Sequence, residues 1–101
     1  MPKFQFRLFI AGQLGNSLTA IANIKALGNQ LLGGDYELQI IDVLEHPQLA
    51  EDERILATPT LIKQLPPPLR RVIGDLSDSD KVLLGLELRP RDNTSTPKSD
   101  S

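Results

Sequence analysis

Phe4, Phe6, Leu8 and Ile10 alternate with Lys3, Gln5 and Arg7, and the run stops at Ala11-Gly12. An apolar side chain at every second position gives an extended chain one face for a core, so the pattern predicts a strand. Leu18, Ile21, Ile24, Leu27 and Leu31 then recur every three or four residues. That spacing lines one face of a helix. Asn16 or Ser17 offers it a side-chain N-cap, and Gly33-Gly34 closes it. Tyr36, Leu38 and Ile40 alternate with Glu37 and Gln39, and Ile41 with Val43 extends the run into what reads as a buried strand. Strand, helix and strand in this order predict a right-handed crossover between parallel strands.

Pro47 suits the first turn of a second helix, expected to run to about Ala57, with Glu51, Asp52 and Glu53 outward and Leu49, Ile55 and Leu56 available to pack. Thr60, Leu61 and Ile62 favour an extended chain, and Val72-Ile73 resumes it. Between them Pro66-Pro67-Pro68 forbids a helix interior or a central strand, so a hairpin is expected around the prolines. Pro59 and this triplet are four of the protein's eight prolines. Proline fixes φ, removes an amide donor and permits a cis bond at small cost, so the stretch from Ala57 to Leu76 can hold more than one backbone arrangement. Ser77-Asp78-Ser79-Asp80 offers a capped start to a last helix carrying Val82, Leu83, Leu84, Leu86 and Leu88. Gly85 interrupts its pattern, where glycine costs about 1 kcal/mol relative to alanine. The predicted order is βαβαββα, an α/β fold.

With 101 residues, 40% of them hydrophobic, the chain can build one core. One domain is expected over residues 1–88. From Arg89 to Ser101 no large apolar residue appears, so 89–101 reads as a flexible polar tail. The formal charge is -2 and the aromatics are three Phe and one Tyr, which supplies neither a basic stripe nor stacking platforms for nucleic acid. Having no cysteine excludes disulfides, thiolate nucleophiles and thiolate metal sites together. No stretch is apolar enough for a membrane span or a signal peptide, and a cytoplasmic location is expected.

Candidate chemistry is sparse. His46, the only histidine, precedes Pro47 and reads as a residue of the helix start. Glu51-Asp52-Glu53 are helix neighbours that face different directions, unlike a paired acid and base. Asp42 and Asp75 end strands, where turn and capping roles fit. No phosphate-binding glycine motif is present, and no catalytic set, metal or cofactor is expected. Lys63, Arg70 and Arg71 form a small basic group that suits either solvent or an acidic partner surface.

Ala57-Thr58-Pro59-Thr60-Leu61, entering the third strand, resembles the cis-proline turn of the thioredoxin-like fold. Redox thioredoxins carry paired cysteines where this chain has Gly12-Gln13-Leu14-Gly15-Asn16-Ser17, so a disulfide mechanism has no residues to run on. A more specific likeness covers roughly residues 4 to 88. Ile41-Asp42-Val43-Leu44, Pro47-Gln48-Leu49-Ala50-Glu51, Ile55 to Leu61, Leu65-Pro66-Pro67-Pro68, Arg70-Arg71, Ile73 to Ser77, Lys81-Val82-Leu83 and Gly85-Leu86 are similar to the circadian clock family KaiB. The sensor domain of a clock histidine kinase, itself similar to that family, is a weaker match.

The resemblance implies a non-enzymatic, metamorphic protein. Its resting form would be a homotetramer of βαββααβ topology, and a thioredoxin-like monomer would bind the KaiC-type ATPase hexamer, capture KaiA and displace the sensor histidine kinase. Lys63, Arg70 and Arg71 would be the partner contacts, and Pro59, Pro66, Pro67, Pro68 and Gly85 the fold-switch residues. Glu37 and Gln39 stand where clock members have a small residue and a lysine on the edge that receives KaiA, which argues against that contact. Two other readings are a KaiB-like protein of stress signalling outside a clock, and a thioredoxin-fold enzyme such as a glutathione-dependent transferase using the Asn16-Ser17 helix start.

Overall fold

The computed structural model describes residues 3–13 and 15–88; the polar tail expected over 89–101 lies outside them. Seven elements follow one another as β1 (Phe4–Ile10), α1 (Asn16–Leu31), β2 (Tyr36–Asp42), α2 (Pro47–Asp52), β3 (Thr60–Leu65), β4 (Arg70–Ile73) and α3 (Ser79–Leu86). They form a four-stranded sheet in the order β2-β1-β3-β4. β1 pairs parallel with β2 and antiparallel with β3, and β4 closes an antiparallel hairpin on β3. Of the two arrangements the resemblance implies, this is the thioredoxin-like one.

Alternation along β1 divides the molecule. Phe4, Phe6, Leu8 and Ile10 pack with Ala20, Ile24 and Leu27 of α1 and with Val82 and Leu86 of α3. Phe9 points the other way and meets Ile41 and Ile62, with Val43 and Ile55 against them. One face therefore carries a large core under two helices. The other carries a small core under α2, which buries no side chain of its own.

Three local expectations are corrected. β2 is an edge strand, not a buried one, because β1 and β3 take the centre, and of its residues only Ile41 is buried. The N-cap of α1 is Gly15 at φ 52°, with no side-chain cap; neither Asn16 nor Ser17 supplies it. α2 stops at Asp52 instead of about Ala57, leaving Leu56 94% exposed. Its end is a Schellman turn in which the Arg54 N–H donates to the Glu51 carbonyl (3.1 Å) and the Ile55 N–H to the Ala50 carbonyl (2.9 Å). Arg54 takes the left-handed position, φ 54°, that glycine usually fills, so the stop has no glycine to announce it. The last helix is as expected: the Asp78 carboxylate accepts the Lys81 N–H at 3.2 Å.

Gly28 lies on α1 where the Tyr36 ring packs across the helix. A β-carbon there would overlap the ring carbons Cε1, Cδ1 and Cζ. A ring held in a core cannot swing aside as the end of a flexible chain does. Gly28→Ala is expected to lower the unfolding free energy by about 1–3 kcal/mol despite alanine's better helix propensity, and Tyr36→Leu in the same chain to recover part of it. Urea unfolding followed by circular dichroism measures both.

Candidate functional site

At the end of the sheet where β1 and β2 finish, the loop before α1 meets the loop after β2. Gly12 follows β1 at φ 74°, and its N–H donates to the Asp42 carboxylate (3.2 Å), which also accepts the Leu44 N–H (2.9 Å). Asp42 thus ties together the loops after β1 and β2, the turn role expected of it. Asp75 likewise accepts the Ser77 N–H at 3.0 Å, and hydrogen bonds from the Ser77 hydroxyl and amide hold its carboxyl below the usual range. Thr58–Pro59 is a cis peptide at the start of β3. Ser17 is buried on α1 and makes no side-chain cap. Among the described residues no group of three His, Cys, Asp or Glu is placed to hold a metal ion, and no helix is long and apolar enough to cross a membrane.

The basic group does not form one surface. Lys63 pairs with Phe6 on one side and Arg70 on the other, so its side chain belongs to the large-core face, and it is only 1% exposed. Burial holds the Lys63 ammonium below the usual lysine range; attraction by Glu87 opposes this and repulsion by Arg70 adds to it. Arg70, on the same face, donates from Nε to Glu87 Oε2 at 2.7 Å while its side chain stays 45% exposed. Arg71, the next residue of an extended strand, must face the opposite way. It pairs with Ile62 and donates to the carbonyls of Glu53 (3.1 Å) and Arg54 (3.4 Å) at the end of α2.

The proline segment forms the expected hairpin, with cis peptides at Leu65–Pro66 and Pro67–Pro68. Gly85 packs against this hairpin: a β-carbon there would stand 2.8 Å from Val72 Cγ2. Its place in α3 therefore serves close approach to β4 as well as local helix energetics.

Arg7 and Glu53, the latter expected outward in solvent, are instead paired with each other. Arg7 donates to Glu53 Oε2 at 3.2 Å and lies 5.2 Å over the Phe9 ring. Their signal was Phe9, an apolar residue at a position where strict alternation calls for a polar one. It marks a second covered face, and hence partners for whatever stands beside it.

Residues 7–88 match the KaiB domain. The chain belongs to the KaiB family. Among its KaiB relatives, the circadian clock protein KaiB3 of Synechocystis is 56% identical over 90 residues, spanning 89% of this chain and 88% of that one. The circadian clock oscillator protein KaiB of Microcystis aeruginosa is 50% identical over 97 residues, spanning 91% and 93%. Among solved structures, the N-terminal domain of Synechococcus elongatus SasA superposes with a TM-score of 0.69 at 27% identity, covering 83% of this chain and 81% of that one. Mitochondrial thioredoxin 3 of Saccharomyces cerevisiae, at 19% identity and a TM-score of 0.66 over 86% and 79%, shares the fold. This KaiB-family chain thus has a thioredoxin-like frame with no cysteine in it.

Lys63 provides a direct check on these electrostatics. Its folded value lies below the ordinary 10.5, so between the two the unfolded chain binds more protons and stability rises with pH across that window. Lys63→Met is expected to be more stable than the parent by about 1 kcal/mol at neutral pH, with the gap narrowing as pH climbs toward the unfolded value. Chemical denaturation of both proteins at neutral and alkaline pH measures it, and a gap independent of pH would contradict it.

Proposed function

We propose that this chain is a non-enzymatic regulator of a circadian clock that docks in its thioredoxin-like form on a KaiC-type ATPase hexamer and modulates its phosphorylation or output signalling. The observation that carries this is the KaiB match over residues 7–88 on a thioredoxin-like frame whose redox position is filled by Gly12 to Ser17. The likeness to the SasA N-terminal domain supports it, since a shared frame gives two proteins the means to compete for one docking site. Arg70 and Arg71 flank the exposed edge strand β4 on opposite faces, so a partner that grips this edge meets both. Lys63 acts from within, through its attraction for Glu87, the partner of Arg70.

Fold switching, with a resting homotetramer in the cytoplasm, belongs to the same proposal. Its support is an asymmetry of backbone strain. In the first half the positive-φ positions are all glycines, Gly12, Gly15, Gly33 and Gly34, whereas the second half adds to Gly74 three non-glycine residues, Arg54, Leu76 and Glu87, at φ 54°, 66° and 56°. A left-handed L-residue costs roughly 1–2 kcal/mol, so three of them lift the energy of this arrangement selectively in the half that would change. Pro59, the triplet Pro66-Pro67-Pro68 and Gly85 restrict the alternatives.

A second reading is favoured by β2. Glu37 and Gln39 are exposed on this edge strand, beside Gln5 and Arg7 of β1. An acidic and an amide side chain there suit a KaiC-type regulator that works without KaiA, in signalling outside a daily rhythm. Identifying which Kai proteins co-purify with the native chain separates the two.

Size-exclusion chromatography with and without a KaiC-type ring tests the main proposal, and a shift from free oligomer to bound monomer is expected. Arg70→Glu and Arg71→Glu should each weaken that complex about tenfold and reduce its salt sensitivity; binding that survives both moves the interface elsewhere. Arg54→Gly removes one strained position and should raise the thioredoxin-like population about fivefold, tightening binding to match. An unchanged ratio of conformers in NMR spectra would count against a strain-set balance.

A further inference from the structure

α2 is a helix of six residues with no buried side chain, yet its C-terminal end is tied to the face of the sheet that carries the small core. Propensity cannot account for this, because isolated helices this short are unstable in water. Ile55, just beyond the helix, supplies one apolar contact. The remaining attachments converge on its C-terminal end. Arg7 of β1 and Arg71 of β4 stand in register on either side of Ile62 of β3, on the same face of the sheet. Arg7 reaches the Glu53 carboxylate at 3.2 Å, and Arg71 reaches the Glu53 and Arg54 carbonyls at 3.1 and 3.4 Å.

We infer that Arg7 and Arg71 are positioning residues, a two-point clamp that holds α2 and its terminal turn on the sheet. Its two arms act by different physics. Arg7 is 14% exposed on its side chain and Glu53 33%, so their ion pair works in a medium poorer in water than the surface. The Phe9 ring beneath the guanidinium adds a cation–π contact, which works against the cost of Nε, buried without an acceptor. Arg71 instead places a cation against the carbonyl of Glu53, the C-cap of α2, where the helix dipole favours positive charge, and against that of Arg54 just past it. The Schellman turn aims these carbonyls at Arg71, since the left-handed Arg54 reverses the chain there. The clamp joins β1, from the first half, to β4, from the second. α2 stays docked only while both strands hold their present register, whatever partner the protein serves.

Hydrogen exchange resolved by residue tests this in the full chain. The amides of Glu53, Arg54 and Ile55, each bonded within this segment, report on α2, and those of β1 report on the core. In Arg7→Met/Arg71→Met, which keeps the apolar stems, exchange at these three amides should rise at least tenfold while the β1 amides keep their protection. Equal acceleration at both places, or none, would overturn the clamp. If the double variant does not fold, Glu53→Gln decides. It removes the ion pair and leaves both carbonyls to Arg71, and a rise of a few-fold confined to the same amides is expected. No rise there would overturn the inference.

Discussion

Everything in this molecule leans on β1. Like β3 it has partners on both edges and covered residues on both faces, and it is the longer of the two, with Phe6, Leu8, Phe9 and Ile10 all essentially removed from water. Burial of that many large side chains on one element is the main source of cohesion in a chain this small. The two-sidedness of β1 also sets the division of labour. The α1 and α3 face stabilises, while the α2 face, with its small core, leaves an element that polar contacts must hold.

That constraint explains the behaviour of the basic residues. In a helix, Arg70 and Arg71 would have diverged by about 100°. In a strand they point to opposite faces, one toward Glu87 and one toward the end of α2. Lys63, two positions from Leu61, shares the inward face with it and is buried for the same geometric reason. A basic cluster in the sequence becomes three separate electrostatic situations: an exposed ion pair, a cap on a helix end, and a buried ammonium. The pairings that matter cross between elements and are set by strand register.

The regular elements were legible because their signals are local. Alternation located β1, three-and-four spacing located α1, the triple proline located the hairpin, and Asp78 located the start of α3. What stayed hidden depended on competition between elements or on residues acting out of type. Nothing in Tyr36 to Asp42 says that another strand takes the central place beside β1. The stop of α2 was hidden because Arg54 fills a glycine position, and the Arg7–Glu53 pair because its members are far apart in sequence. Gly85 was noticed for its helix energetics, while its contact with Val72 required the fold. The proline segment and Arg70-Arg71 were visible as features, and their division between two faces was not.

The backbone asymmetry between the halves bears on how freely the chain can vary. At Gly33 or Gly34 nearly every replacement introduces strain that the parent lacks, so these turns tolerate little besides glycine. At positions 54 and 87 the left-handed cost is already present, and exchanging Arg54 or Glu87 for most other L-residues leaves it where it was. These two turns of the second half, unlike the one at Gly74, are thus open to sequence drift, constrained by what their side chains touch and not by the shape of their backbone. New contacts can accumulate there while the frame built by β1, α1 and β2 stays constant.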